Sequence, residues 1–167
     1  PTNSNTHYIP NPSDKSFEIL ENYSKPCNVD VFFALSHGVH RGVLKSGKTD
    51  DRVKFVNQLM NITPDVKFDI YGLNNIQPIW ADHYFKTISN AKMGLNLSRG
   101  DAIKYYSSDR ITQIIGNGLA CLIDEKTQYR DFFSEKEMVF YKNINDLSEK
   151  ILRLAQDESL RKLIAKN

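Results

Sequence analysis

Only two cysteines, Cys27 and Cys121, occur in 167 residues, and nothing in their spacing suggests a disulfide framework. We expect free thiols in a reducing, cytoplasmic setting, with a single bridge between the two left open by sequence alone. No apolar run approaches the ~20 residues that cross a bilayer, and no charged-then-apolar leader stands at the start, so no transmembrane segment is expected. A charge excess is missing too: 22 basic residues against 20 acidic ones give +2, too balanced to argue for nucleic acid as a partner. GxGxxG does not occur, so dinucleotide binding lacks support; residues 42–49, GVLKSGKT, do match GxxxxGK[ST], a short pattern that alone does not establish P-loop hydrolysis. His37 and His40 have H-x-x-H spacing, but no third and fourth ligand stands nearby; we expect no metal and no other cofactor. Repeats and low-complexity tracts are absent as well.

What is present is an ordinary globular balance, 40% hydrophobic and 25% charged, in a length that suits one domain. Residues 1–28 read as a linker or strap with a short helix over 13–23, and residues 29–167 as the folded domain. Within it, apolar runs or alternation predict strands at 29–35, 66–71, 93–97, 119–123 and 138–141. Helical spacing predicts helices from about 50 to 60, 81–91, 107–116, 146–155 and 159–166, with a short one over 127–133. Strands alternating with helices at this spacing imply right-handed crossovers and a doubly wound, mostly parallel Rossmann-like sheet, α/β in class, with helices on both faces. The chain opens on Pro1, and its last helix is still in period at Asn167; we therefore expect a piece of a longer polypeptide.

The segment 105–124, YYSSDRITQIIGNGLACLID, carries most information. Ser107, Ser108 and Asp109 are placed to cap a helix, Ile111, Ile114 and Ile115 form its apolar stripe, and Gly116 and Gly118 stop it. The apolar run that follows reads as a strand buried on both faces. A helix start beside a strand end is a ready anion site. In doubly wound sheets ligands lie beyond the carboxyl ends of the strands, where this sequence places Ser36, His37, Gly38, His40, Arg41 and Lys45 after the first strand. Gly72, Ile79 and Trp80 follow the second, and Asn96, Ser98, Arg99 and Gly100 the third. Small residues, hydroxyls and basic side chains together suit a diphosphate.

These pieces, in order, are a strand ending in YG, a helix leading to GLNLSR, then SSDR with a helix and a GNGL strand, and finally FFSEKEMVFYKNINDLSEKI. The arrangement resembles the C-terminal, donor-binding half of a GT-B glycosyltransferase, nearest to the glycosyltransferase family 1 group that includes CgeB-like spore-maturation proteins. The resemblance is best from Phe68 onward, with weaker support from residues 29–45. It implies a nucleotide-diphosphate sugar as substrate, an acceptor of unknown kind, and an N-terminal domain of the same polypeptide. Arg41 and Lys45 would neutralise the leaving diphosphate as the catalytic pair. Gly72, Ile79 and Trp80 would wall the base; Ser107, Ser108 and Asp109 would offer backbone N–H groups to phosphate. The remaining contacts implied are Ser36, His37, Gly38, His40, Ser98, Arg99, Tyr105, Arg110 and Gln113. Gln113 and Tyr105 stand where many relatives carry glutamates, so ribose binding survives through an amide oxygen while the stereochemical outcome stays open. The alternative is a non-catalytic Rossmann-like module that has lost the transferase site.

Overall fold

A computed structural model describes Ile9, residues 11–36 and residues 51–167. Five strands, β1 (Val29–Ala34), β2 (Phe68–Tyr71), β3 (Ala91–Asn96), β4 (Ala120–Asp124) and β5 (Val139–Tyr141), form one sheet in the order β2-β1-β3-β4-β5. Every neighbouring pair is parallel, with Ala34 opposite Tyr71 and Asn96 opposite Ile123 at the carboxyl rim. Parallel pairing demands crossovers. Three of them carry the helices α1 (Asp51–Ile62), α2 (Ala81–Ile88) and α3 (Asp109–Gly116), the β4-to-β5 connection runs through short 3₁₀ turns, and α4 (Ile144–Gln156) and α5 (Glu158–Lys166) close the chain.

Alternation along the strands divides the core in two. Val31, Phe33, Met93, Leu95 and Leu122 face α1, α4 and α5, whereas Phe32, Cys121, Ile123 and Phe140 face α2 and α3 through Ile88, Ile111 and Ile114. The expected doubly wound, Rossmann-like α/β fold is therefore the one found. Gly94 sets how closely α3 approaches: a Cβ there would meet Ile114 Cγ1 at 2.4 Å. At the amino rim, buried Asp30 accepts from Lys92 Nζ at 2.6 Å and from the Lys67 backbone N–H at 2.9 Å, tying β1 to β3 and to the start of β2. Cys27 and Cys121 are free thiols. Among the described residues no helix is long and apolar enough to cross a membrane.

Three local expectations need correction. No α-helix forms over 13–23; a turn at 15–17 and a 3₁₀ turn at Asn22–Ser24 stand there instead. The Asp14 carboxylate captures the Ser16 N–H and hydroxyl, a local bond that competes with helix. Phe17 and Ile19 are left largely exposed, and of the apparent stripe only Leu20 packs on the core. The helix expected over 127–133 is two 3₁₀ turns, Glu125–Thr127 and Tyr129–Asp131, separated by Gln128 at φ 55°. Helix α2 ends at Ile88 because Ala91 already opens β3.

Candidate functional site

The chain leaves β1 to the β2 side and returns past it to β3, so strand order reverses between β1 and β3. A crevice opens at that point, where doubly wound sheets place ligands. Its volume is about 480 Å³, within the range of small-molecule sites. Among the described residues its floor comes from the ends of β1 and β3, through Ala34, Leu35, Ser36, Leu97 and Arg99. The start of α3 gives Ser108, Asp109, Arg110 and Gln113, and the start of α2 gives Trp80, Tyr84 and Phe85; Arg52 reaches in from α1.

Arg110 is the centre of this arrangement. Its guanidinium donates to the Leu97 carbonyl at 3.0 Å and to the Ala34 carbonyl at 3.1 Å, clamping the two strand ends on either side of the crevice. It also lies 5.1 Å from the centroid of the Phe33 ring. Burial, with the Arg52 charge nearby, holds it below its ordinary value, though an arginine stays protonated throughout. Among the described residues no carboxylate forms an ion pair with it. A half-buried cation that among the described residues is held by carbonyls and a ring wants an anion.

The start of α3 is built differently from the expectation. Ser108 occupies the cap position in an extended conformation but makes no side-chain cap hydrogen bond. Its hydroxyl instead points to Asn96 Oδ1 at 3.4 Å, at the end of β3. Asn96 is buried, and its Nδ2 has no hydrogen-bond partner among the described residues. Ser107 and Asp109 are engaged by Asn11 of the opening strap: the Asn11 N–H donates to Ser107 Oγ at 2.9 Å and its Nδ2 to Asp109 Oδ1 at 2.6 Å. Among the described residues the first-turn N–H groups of α3 are thus left without a side-chain cap beside the crevice.

On the opposite wall Trp80 is 61% exposed, and Ala81 directly after it takes φ 49°, a left-handed value that strains a residue with a Cβ. Burial pushes the Tyr84 hydroxyl up to about 12, so it faces the crevice as a neutral hydrogen-bonding group. Among the described residues three arginines, Arg52, Arg99 and Arg110, and one acidic residue, Asp109, border the crevice.

Of the residues singled out from sequence, Ser36, Ile79, Trp80, Arg99, Ser108, Asp109, Arg110 and Gln113 come together on this wall. Gly72 lies beneath it: at φ 80°, with a Cβ that would meet the Leu35 carbonyl oxygen at 2.2 Å, it lets β2 turn against the end of β1. Ser98 follows the β3 rim but does not border the crevice, and Ser107 faces the strap. Tyr105 turns away altogether. Its hydroxyl donates to Asp131 and its ring packs on Phe132. His37, Gly38, His40, Arg41 and Lys45 lie outside the described residues. Sequence reasoning missed Arg52, Tyr84 and Phe85, which read as ordinary amphipathic-helix positions and reach the crevice only because their helices begin at the same rim.

Residues 52–167 match a family model described as glycosyl transferase-like. Among solved structures the fold is similar to that in the crystal structure of TarM, with a TM-score of 0.58 over 85% of this chain at 15% identity. The chain spans 31% of TarM's length, and at this identity the likeness is one of fold. No curated protein matches the sequence at a significant level.

Proposed function

Because the chain belongs to the glycosyl transferase-like family, we propose that its crevice binds the diphosphate of a nucleotide-sugar donor and that the domain is the donor half of a sugar-transfer enzyme. In the reaction the bond between the sugar's anomeric carbon and the diphosphate oxygen breaks. An acceptor oxygen bonds that carbon and gives up its proton, and a nucleoside diphosphate departs. Negative charge grows on the leaving oxygens, and cations fixed beforehand stabilise that change at little reorganisation cost. Arg110 and the first-turn N–H groups of α3 supply this field, with Arg41 and Lys45, which follow β1 in the sequence, as further cations. Gln113 accepts from a ribose hydroxyl, and Trp80 with Ile79 borders the base. The acceptor is held by another domain of a longer polypeptide, in keeping with the fraction of TarM that the chain covers.

The observation that carries this reading is Arg110, a half-buried guanidinium at the strand-order reversal with no carboxylate pairing it among the described residues. Titration calorimetry with UDP and GDP tests it. The parent chain is expected to bind at least one of them, and Arg110→Met to lose about tenfold or more in affinity, which is ~1.4 kcal/mol. Arg110→Lys keeps the charge but not the two-carbonyl fork and falls between them. If the parent stays silent at millimolar nucleotide, the non-catalytic module becomes the better reading.

A further inference from the structure

We propose that Asn11 is a positioning residue for this site: it draws the Asp109 carboxylate to the strap side of α3 and so keeps a fixed negative charge off the place where a diphosphate binds. The inference rests on the donor-site reading above and adds to it a residue from the opposite end of the sequence.

The geometry is specific. Asn11 makes two hydrogen bonds to the start of α3, one from its backbone to Ser107 and one from its side chain to Asp109, joining residues 96 and 98 positions apart. The two sides of the helix start differ. Ser108 and Asp109 border the polar crevice, whereas Asn11 and Ser107 border a separate, mainly apolar groove on the other side, lined by Ile111, Ile115, Tyr129 and Phe132. A bond from Asn11 therefore pulls Asp109 Oδ1 toward the groove.

Asp109 needs such restraint because it stands first in α3, where a carboxylate is attracted by the same N–H groups that attract phosphate. An unrestrained Asp109 would compete with the ligand as an internal anion, and like charges a few ångströms apart repel strongly near a protein surface. Asn11 suits the task chemically. Its amide nitrogen is a neutral donor that satisfies a carboxylate without placing another cation at the rim. It also precedes Pro12, which confines its backbone to extended conformations, so the donor is presented with little freedom left to lose. The remainder of the strap fixes the same path: the Leu20 N–H donates to Asn117 Oδ1 and the Asn22 N–H to the Asn117 carbonyl, at the far end of α3.

The test is calorimetry with UDP and GDP on the 167-residue chain and three variants, Asn11→Ala, Asp109→Asn and the two together. Asn11→Ala is expected to weaken binding by about 3- to 10-fold at low ionic strength, with the loss shrinking as salt rises. Asp109→Asn is expected to bind at least as tightly as the parent. The double variant is expected to match Asp109→Asn, because without the carboxylate nothing remains for Asn11 to restrain. Asn11→Gln, which keeps the amide, should recover part of the loss. A strap that acted only by packing would leave the double variant as weak as Asn11→Ala, and that result, or an Asn11→Ala variant that binds like the parent, overturns the proposal. If the parent binds neither nucleotide, the donor-site reading has failed and this inference falls with it. The parent titration alone separates the two failures.

Discussion

At the scale of single residues, burial decides which groups take part in chemistry. Burial pushes the Cys121 thiol up to about 12, with Arg110 partly opposing it, and Cys121 lies wholly inside the sheet. Burial raises Cys27 as well, against the nearby Lys25, but Cys27 is only half-buried. The thiolate is the reactive form. At pH 8 an alkylating reagent is therefore expected to modify Cys27 slowly and Cys121 only on unfolding, which mass spectrometry with and without denaturant reads directly. Equal labelling of both in the native protein would contradict the core assignment. Arg110 shows how a residue's role can be hidden in sequence. In DRITQII it occupies a polar position early in an amphipathic helix and looks like a solvated arginine. Only the approach of two strand ends, from residues far away in the chain, turns it into a clamp.

Elements add a second kind of specification, the closing of their own ends. Strand β5 is an outer strand of three residues, and Lys150 from α4 donates to its Phe140 carbonyl at 2.6 Å while pairing with Asp146 at 2.9 Å. Asp146 in turn accepts from the Lys142 N–H at 2.8 Å. Burial of Asp146 opposes its charge, but the Lys150 ammonium and the Lys142 N–H outweigh burial and hold the carboxyl below its ordinary value. A carboxyl whose folded value is depressed contributes stability above its unfolded value of ~3.9, and loses it as pH falls through the lower folded value. Asp146→Asn is expected to cost about 1 kcal/mol at neutral pH and to flatten the loss of stability below about pH 4. Denaturant melts across pH 2.5–7 provide the comparison, and parallel curves for parent and variant would refute the pairing.

For the whole molecule, the sheet's two rims have separate duties. The carboxyl rim gathers the crevice, and the amino rim is stapled by Asp30, Lys92 and the Lys67 backbone, with Asn22 donating to the Ile88 and Ala91 carbonyls. Asp30→Ala leaves Lys92 without its partner and is expected to cost about 3 kcal/mol, while nucleotide affinity measured below the melting range stays as in the parent. A parallel loss of affinity would mean that the rims are coupled. The sheet itself was legible because burial on both faces writes nearly unbroken apolar runs, VDVFFA in β1 and ACLID in β4. Its order was not, since nothing local to β2 records that β3 must pass β1 before pairing. The strap was misread for the opposite reason: Phe17 and Ile19 belong to the apolar positions that suggested a helix but face solvent, and a pattern of apolar residues does not say what they pack against. At the site, Ser108 and Arg110 could be placed from a helix start beside a strand end, whereas Arg52, Tyr84 and Asn11 arrive through tertiary paths that no motif encodes.

Trp80, the chain's single tryptophan, stands 61% exposed on the crevice wall rather than in either core. Its emission in the native protein is expected to be that of an indole already in contact with water, so fluorescence makes a poor gauge of unfolding here. The same placement makes it an internal, label-free indicator of whether the crevice is occupied.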